Sequence, residues 1–312
     1  MFRMMLANGG RRAASSVGTS SKLGKSAAVT STTTRREMCG LFGAIEDVWT
    51  TKTKPAGSSP HPILVDEELL TKTTTILNHR GPDGYQIANG TLGGNTLDPV
   101  HWSMGHTRLA IVDPSNRFAD MPFHLTFDHS TSNGRKKTIH LAANGEIYNH
   151  EKIYTKLRND DSWPHERISG SDCEMIGHAY AKYGGPETAK MLDGMFAFVI
   201  FEEEYAADGK TIENVNCFAA RDPVGIKPLY YGKTKATSNS PSTYLFSSEL
   251  KALVGQVDPS TVVNVPPGHY FTPETGLVCF YNPEWLRNVS CLHCRYCYSY
   301  SVTVMTYIKK YF

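Results

Sequence analysis

Between residue 39 and about residue 280 the apolar positions fall in short runs broken by turn residues, with a few stretches at helical spacing. Residues 41–46 are a compact apolar run suited to a buried strand. Residues 66–79 carry apolar side chains at helical spacing and stop at the loop signal Arg80-Gly81-Pro82-Asp83-Gly84. Residues 101–112 and 138–147 read as strands, and 114–121 and 130–137 as loops. The Pro-, Gly- and Ser-rich stretch 51–62 reads as a surface loop. Ser171-Asp172-Cys173-Glu174 has the composition of a helix start, with Ser171 as the N-cap and Glu174 reaching back to it. That helix would run to residue 183 and stop at Gly184-Gly185. Pro186 then opens a second short helix that ends at Gly194. Residues 195–201, 217–220, 229–232 and 244–247 are further strands. Short strands with grouped helices predict a layered α+β arrangement rather than a doubly wound parallel sheet.

Composition sharpens this picture at the two ends. The chain has 312 residues, 40% hydrophobic and 20% charged, so it can bury a sizeable core in one large domain or two small ones. Its net charge is +2, and the first 37 residues supply more than that. They hold Arg3, Arg11, Arg12, Lys22, Lys25, Arg35 and Arg36 against a lone acid, Glu37. An Arg- and Ser-rich, acid-poor leader has the composition of an organelle transit peptide, which would direct the protein to a mitochondrion or plastid. The other readings are a disordered leader or an initiation at Met38, which would leave the protein cytoplasmic. The remainder is near neutral, so charge gives no argument for nucleic acid. No run of about 18 apolar residues suggests a membrane span. The seven cysteines are unevenly spread and do not suggest a disulfide framework. Cys291, His293, Cys294 and Cys297 are crowded too closely for two separate ligand pairs, so no metal site is expected. Asn288-Val289-Ser290 is a glycosylation sequon in a chain without secretory features.

Four groups could carry chemistry. Cys39 stands between small residues in Met38-Cys39-Gly40, which leaves a substrate room to approach; a buried structural cysteine is the plainer reading. Arg108 sits among apolar residues in GHTRLAIVD (105–113) and must be paired, either by a ligand carboxylate or by an internal carboxylate. Asn144-Gly145 between β-like runs is a hairpin signal, or else an oxyanion hole built from the Asn144 side-chain amide and the Gly145 N–H. Asp172 beside the helix start would favour the helix dipole, or hold a substrate ammonium group.

Nine stretches in order resemble the glutamine-hydrolysing half of asparagine synthetase, a class II glutamine amidotransferase of the N-terminal-nucleophile hydrolase type. They are MCGLFGAIE (38–46), LNHRGPDG (77–84), GHTRLAIVDPS (105–115), ANGEIYNH (143–150), GSDCEMI (170–176), LDGMFAFVIFE (192–202), RDPVGIKPLYYG (221–232), LFSSELKAL (245–253) and VPPGHYF (265–271). The resemblance implies an αββα four-layer sandwich over 38–285. It implies Cys39 as the nucleophile, with its own α-amine as the base. Asn144 and Gly145 would form the oxyanion hole. Arg108 would grip the glutamine α-carboxylate, and Asp172 and Glu146 its amino end. Leu109, Ala110, Ile111 and Val112 would line the pocket. The α-amine is a base only when no peptide bond acylates it, so the Met38–Cys39 bond must be absent in the working protein.

The family's synthetase domain uses ATP and Mg and carries a Ser-Gly-Gly-x-Asp-Ser loop, a stretch not found in this sequence. The likeness stops after Trp285, and 286–312 reads as an atypical tail. This chain alone would therefore need no cofactor and would release glutamate and ammonia. The missing synthetase domain, or a partner supplying it, would use the ammonia; a homodimer is compatible with the sequence. The competing readings are a blocked glutamine- or partner-binding module with an unprocessed N-terminus, an amidotransferase serving another acceptor, and a Cys-His hydrolase using His79 or His106 as base.

Overall fold

The computed structural model describes residues 39–49, 59–93, 98–128, 133–238 and 240–283. The leader 1–37, most of the 51–62 loop, the 286–312 tail with its cysteines, and the sequon lie outside the described residues. The first half of the chain forms β1 (Gly40–Glu46), α1 (Glu67–Thr75), β2 (Gly84–Leu92), β3 (Val100–Arg108), β4 (Phe123–Phe127) and β5 (Lys137–Ile147). Three helices follow: α2 (His150–Arg158), α3 (Glu174–Tyr183) and α4 (Gly185–Met191). The second half adds β6 (Gly194–Tyr205), β7 (Ile212–Arg221), β8 (Tyr230–Lys233), β9 (Thr243–Ser247), β10 (Val263–Asn264), β11 (His269–Thr272) and β12 (Gly276–Cys279).

The strands build two antiparallel sheets, in the orders β10-β8-β9-β1-β3-β2 and β12-β11-β7-β6-β5-β4. The central strands are buried on both faces, which is why they read as continuous apolar runs rather than as alternations. On β6, Phe196, Phe198 and Ile200 face the layer of α2, α3 and α4, where Ile153, Leu157, Met175, Ile176 and Ala189 pack. Ala197, Val199 and Phe201 face the other sheet and meet Leu41 and Ile45 of β1. On β1 the intervening Phe42 and Ala44 turn to the opposite side, onto Leu70 and Leu77 beside α1. The result is the four-layer αββα sandwich expected from the sequence.

Local outcomes differ where tertiary contacts overrule local signals. The helix expected over 66–79 keeps Asp66 as its cap, with the carboxylate accepting from Leu69 N at 3.1 Å, but ends at Thr75. The strand expected over 101–112 stops at Arg108. Asn144-Gly145 is no hairpin: both residues lie inside β5, opposite Ala197 and Phe196 of β6. Ser171 does not cap α3, whose first residue is Glu174 and whose cap position is Cys173. The Glu174 carboxylate instead accepts from Ile168 N at 2.7 Å and Ser169 N at 2.8 Å, bracing the segment before the helix. The second short helix ends at Met191 rather than at Gly194, which opens β6. The sequence pattern missed β2, β4, β10, β11 and β12. β2 and β12 are sheet edges with mostly exposed or half-buried side chains, and β10 is two residues long.

Phe246 of β9 is fully buried between the sheets, with Phe201 and Phe271 rings 6.5 and 5.8 Å away. Truncating it leaves a hole that neither sheet can fill. Phe246→Ala is expected to lower the unfolding free energy by about 3–5 kcal/mol in urea titrations followed by tryptophan fluorescence.

Candidate active site

Cys39 immediately precedes β1, and the strand's first residues are pinned from both neighbours. Gly40 N donates to Thr107 Oγ1 at 3.1 Å on β3, and Leu41 N donates to Ser248 Oγ at 3.0 Å just past β9. Arg80 Nε donates to the Cys39 carbonyl at 3.2 Å, while its Nη1 pairs with Glu249 at 2.9 Å. These bonds fix the backbone of Cys39 at the mouth between the two sheets. Its sulfur accepts from Leu109 N at 3.2 Å. Burial pushes the thiol above its ordinary value, and the Leu109 N–H, Arg108 and Lys227 work against that rise. No histidine hydrogen-bonds the sulfur among the described residues. His106 Nε2 faces the Ala143 carbonyl at 3.0 Å and His79 Nε2 lies 2.8 Å from Glu249, so neither is placed as the base of a Cys-His pair.

β5 brings Asn144 and Gly145 to the same place from the other sheet. Asn144 is fully buried, and neither its Nδ2 nor its Oδ1 has a partner among the described residues. Buried side-chain amides are almost always bonded, so this one calls for an explanation. Gly145 is fixed by packing: a Cβ there would lie 2.4 Å from the Met195 carbonyl and 2.8 Å from Phe196 Cα. Asp172 lies at the start of the turn into α3, and its Oδ2 accepts from Ile147 N at 2.6 Å, tying the end of β5 to that turn.

Arg108 ends β3 and organises the loop after it. Its guanidinium pairs with Asp120 and donates to the carbonyls of Asp113 at 2.8 Å and Val112 at 3.2 Å. The internal partner anticipated for this arginine thus exists, and the side chain nevertheless lines the cavity. Asp113 adopts φ 49°, a left-handed conformation that Asp tolerates. Its carboxylate accepts from Gly170 N at 2.8 Å, which draws the 108–113 loop against the segment carrying Asp172.

These residues surround a cavity of about 40 Å³. Cys39, Arg108, Leu109, Ile111, Val112, Asn144, Gly145, Glu146 and Asp172 all line it, joined by Cys173 and Met121. Of the glutamine-site residues that the resemblance implies, Ala110 alone lies outside it. Its N–H is turned to Asp83 Oδ2 at 2.9 Å, and it lines a neighbouring cavity of about 320 Å³ that shares Arg108 and Met121 with the first. Sequence reasoning missed Arg80, Thr107 and Ser248, which hold Cys39 in place, and Lys227, whose charge reaches it. Arg80 and Lys227 do fall in the motifs RGPDG and GIKPLYYG, but nothing local distinguishes them from loop cations.

The model of the glutamine amidotransferase domain family matches residues 38–277. The chain belongs to this family. Among curated proteins it is similar to the asparagine synthetase [glutamine-hydrolyzing] of Zea mays, 37% identical over 210 residues that cover 67% of this chain and 29% of the relative. The asparagine synthetase [glutamine-hydrolyzing] 3 of Arabidopsis thaliana is 36% identical over 214 residues, 68% of this chain and 30% of the relative. The probable asparagine synthetase of Schizosaccharomyces pombe is 36% identical over 212 residues, 67% and 31% respectively. The chain thus spans less than a third of the length of these relatives. Among solved structures, the glutamine phosphoribosylpyrophosphate amidotransferase of B. subtilis, complexed with ADP and GMP, superposes with a TM-score of 0.50 at 19% identity, covering 78% of this chain and 50% of that one. At that identity the likeness speaks for the shared fold.

In this amidotransferase domain His106 is wholly buried beside the site, and burial lowers its pKa to about 4. An unfolded chain takes up that proton near pH ~6.5. The neutral ring's contribution to stability is therefore full above ~6.5 and is lost as pH falls toward 4. Urea unfolding between pH 7.5 and 4 is expected to show stability falling with acid. His106→Gln should remove about one proton's share of that slope, ~1.4 kcal/mol per pH unit.

Proposed function

We propose that this domain hydrolyses glutamine to glutamate and ammonia through a Cys39 thioester, and that in a complete enzyme the ammonia serves asparagine synthesis. The observation that carries the reading is the Asn144 amide: fully buried, without a partner among the described residues, and lining the same cavity as Cys39. A donor kept free in a dry site costs stability, and an oxyanion that forms only during reaction explains why it is kept.

The α-amine of Cys39 takes the thiol proton, and the thiolate attacks the side-chain amide carbon of glutamine. The carbonyl oxygen becomes an oxyanion, received by Asn144 Nδ2 and the Gly145 N–H. The C–N bond breaks, and the leaving nitrogen takes the proton back from the α-ammonium and departs as ammonia. Water then cleaves the γ-glutamyl thioester, releasing glutamate and restoring the thiol. Three of Arg108's five N–H groups are engaged with Asp120, Val112 and Asp113, which leaves two for the substrate α-carboxylate. Asp172 and Glu146 provide negative charge for its ammonium. The asparagine-synthesis part of the proposal rests on the names of the relatives. ATP and Mg belong with the synthetase portion, which those relatives have the length to carry.

A protein beginning at Cys39 is expected to release glutamate from glutamine, and one that keeps residues 1–38 is expected to be silent until they are removed. Asn144→Ala should lower kcat by about 10²–10³-fold with KM little changed. Full turnover by Cys39→Ala or by Asn144→Ala would overturn the assignment.

A further inference from the structure

The loop between β7 and β8 is held far more firmly than its length requires. The carboxylate of Asp222 accepts from Val224 N and Ile226 N, each at 3.0 Å, from Gly225 N at 2.5 Å, from Lys227 N at 3.0 Å, and from Phe196 N at 3.3 Å. Arg221 donates to the carbonyls of Lys227 and Gly225, both at 2.7 Å, and of Val265 at 2.6 Å. Asp222 is fully buried and Gly225 takes φ 75°, a left-handed conformation that suits glycine. Both sides of Lys227 are clamped: its N–H by Asp222 and its C=O by Arg221. Lys227 itself is buried, and no described residue forms an ion pair or hydrogen bond with its ammonium. A buried cation is costly without negative charge nearby, and here the carboxylates of Glu146 and Asp222 supply it.

The sheet register places the nucleophile relative to this cation. Phe42, Ser247 and Tyr230 form one row across β1, β9 and β8. Both β1 and β8 run antiparallel to β9, and Cys39 and Lys227 each stand three residues before that row. Both therefore lie toward the same edge of the sheet, Cys39 just before β1 and Lys227 in the loop before β8, with β9 between those strands. In the other sheet, Arg221 lies in the same row as Asn144, through Ala197. The clamp thus spans both halves of the site. The charges facing Lys227 are Glu146, Asp222, Arg80 and Cys39.

We propose that Lys227 is the electrostatic partner of the nucleophile: its ammonium, held at the same sheet edge as Cys39 by the 222–227 clamp, stabilises the Cys39 thiolate. It exchanges no proton. The thiol proton goes to the α-amine, and Lys227 acts through Cys39 as a positioning residue. The inference rests on the reading of Cys39 as nucleophile, and its test is read from the cysteine rather than from turnover.

The experiment uses protein beginning at Cys39. The pH profile of iodoacetamide alkylation is followed, with label on Cys39 located by mass spectrometry. Lys227→Met should raise the alkylation midpoint by about one pH unit, a tenfold loss of thiolate at a given pH, and Lys227→Arg should restore it. In glutamine hydrolysis kcat should fall in step while KM holds. An unchanged midpoint in a folded Lys227→Met protein overturns the proposal. Should that variant not fold, the unsubstituted protein decides by reciprocity. Blocking Cys39 with the neutral carbamidomethyl group should lower the Lys227 titration midpoint in ¹⁵N-lysine NMR, and no change overturns the proposal. Absence of glutamate release by the unsubstituted protein would instead strike at Cys39 as nucleophile and leave the alkylation comparison readable.

Discussion

Cys39 and Asn144 belong to different sheets, and they meet only because the two sheets pack face to face. That dry interface, filled by Leu41, Ile45, Val199, Phe201 and Phe246, sets the distance between the nucleophile's strand and the strand that carries the buried amide. Sheets separated by large side chains keep a spacing of about 10 Å, and the interdigitation resists sliding. Among the described residues, Cys39, Asn144 and the groups around them sit at the rim of this interface, where the apolar filling gives way to polar groups. The aromatic filling therefore acts on the site even though none of it touches the sulfur.

The polar groups at the rim are arranged as braces. Thr107, Ser248 and Arg80 hold the backbone around Cys39. Arg108, Asp113 and Asp120 hold the loop after β3. Asp172 holds the end of β5, and Arg221 with Asp222 holds the loop before β8. Each brace satisfies backbone groups that would otherwise be orphaned in irregular chain near a buried site. Asn144 is the exception, since its side chain braces nothing among the described residues. That contrast sets the buried amide apart from the residues that brace the site.

How much of this could be read from the sequence follows from what each signal measures. Doubly buried strands such as β1 and β6 were legible because burial on both faces writes an unbroken apolar run. The edges β2 and β12 were not, because a strand with one wet side and a free edge has no such run. Asn-Gly looked like a turn because local preference favours one, and the pairing of both residues with β6 overrode it. Ser171 looked like a cap because its spacing to Glu174 is right, yet Glu174 is drawn to the backbone of 168 and 169 instead. For the site, the resemblance pointed to residues that do line one cavity, apart from Ala110. It could not give the partnerless amide of Asn144 or the sheet order that brings Lys227 to the same edge as Cys39. Those depend on contacts between residues tens to hundreds of positions apart.

The crowding around Gly145 bears on how such a domain would decay if its chemistry were no longer needed. The position admits no side chain because the β6 backbone occupies the space, so drift there is punished by misfolding whatever the fate of catalysis. Asn144, one residue earlier, is bound by no such demand: an aliphatic side chain in its place would relieve an unsatisfied amide and firm up the interior. In a lineage released from selection for ammonia release, the glycine would persist as a fossil of the architecture while the asparagine was the first to erode.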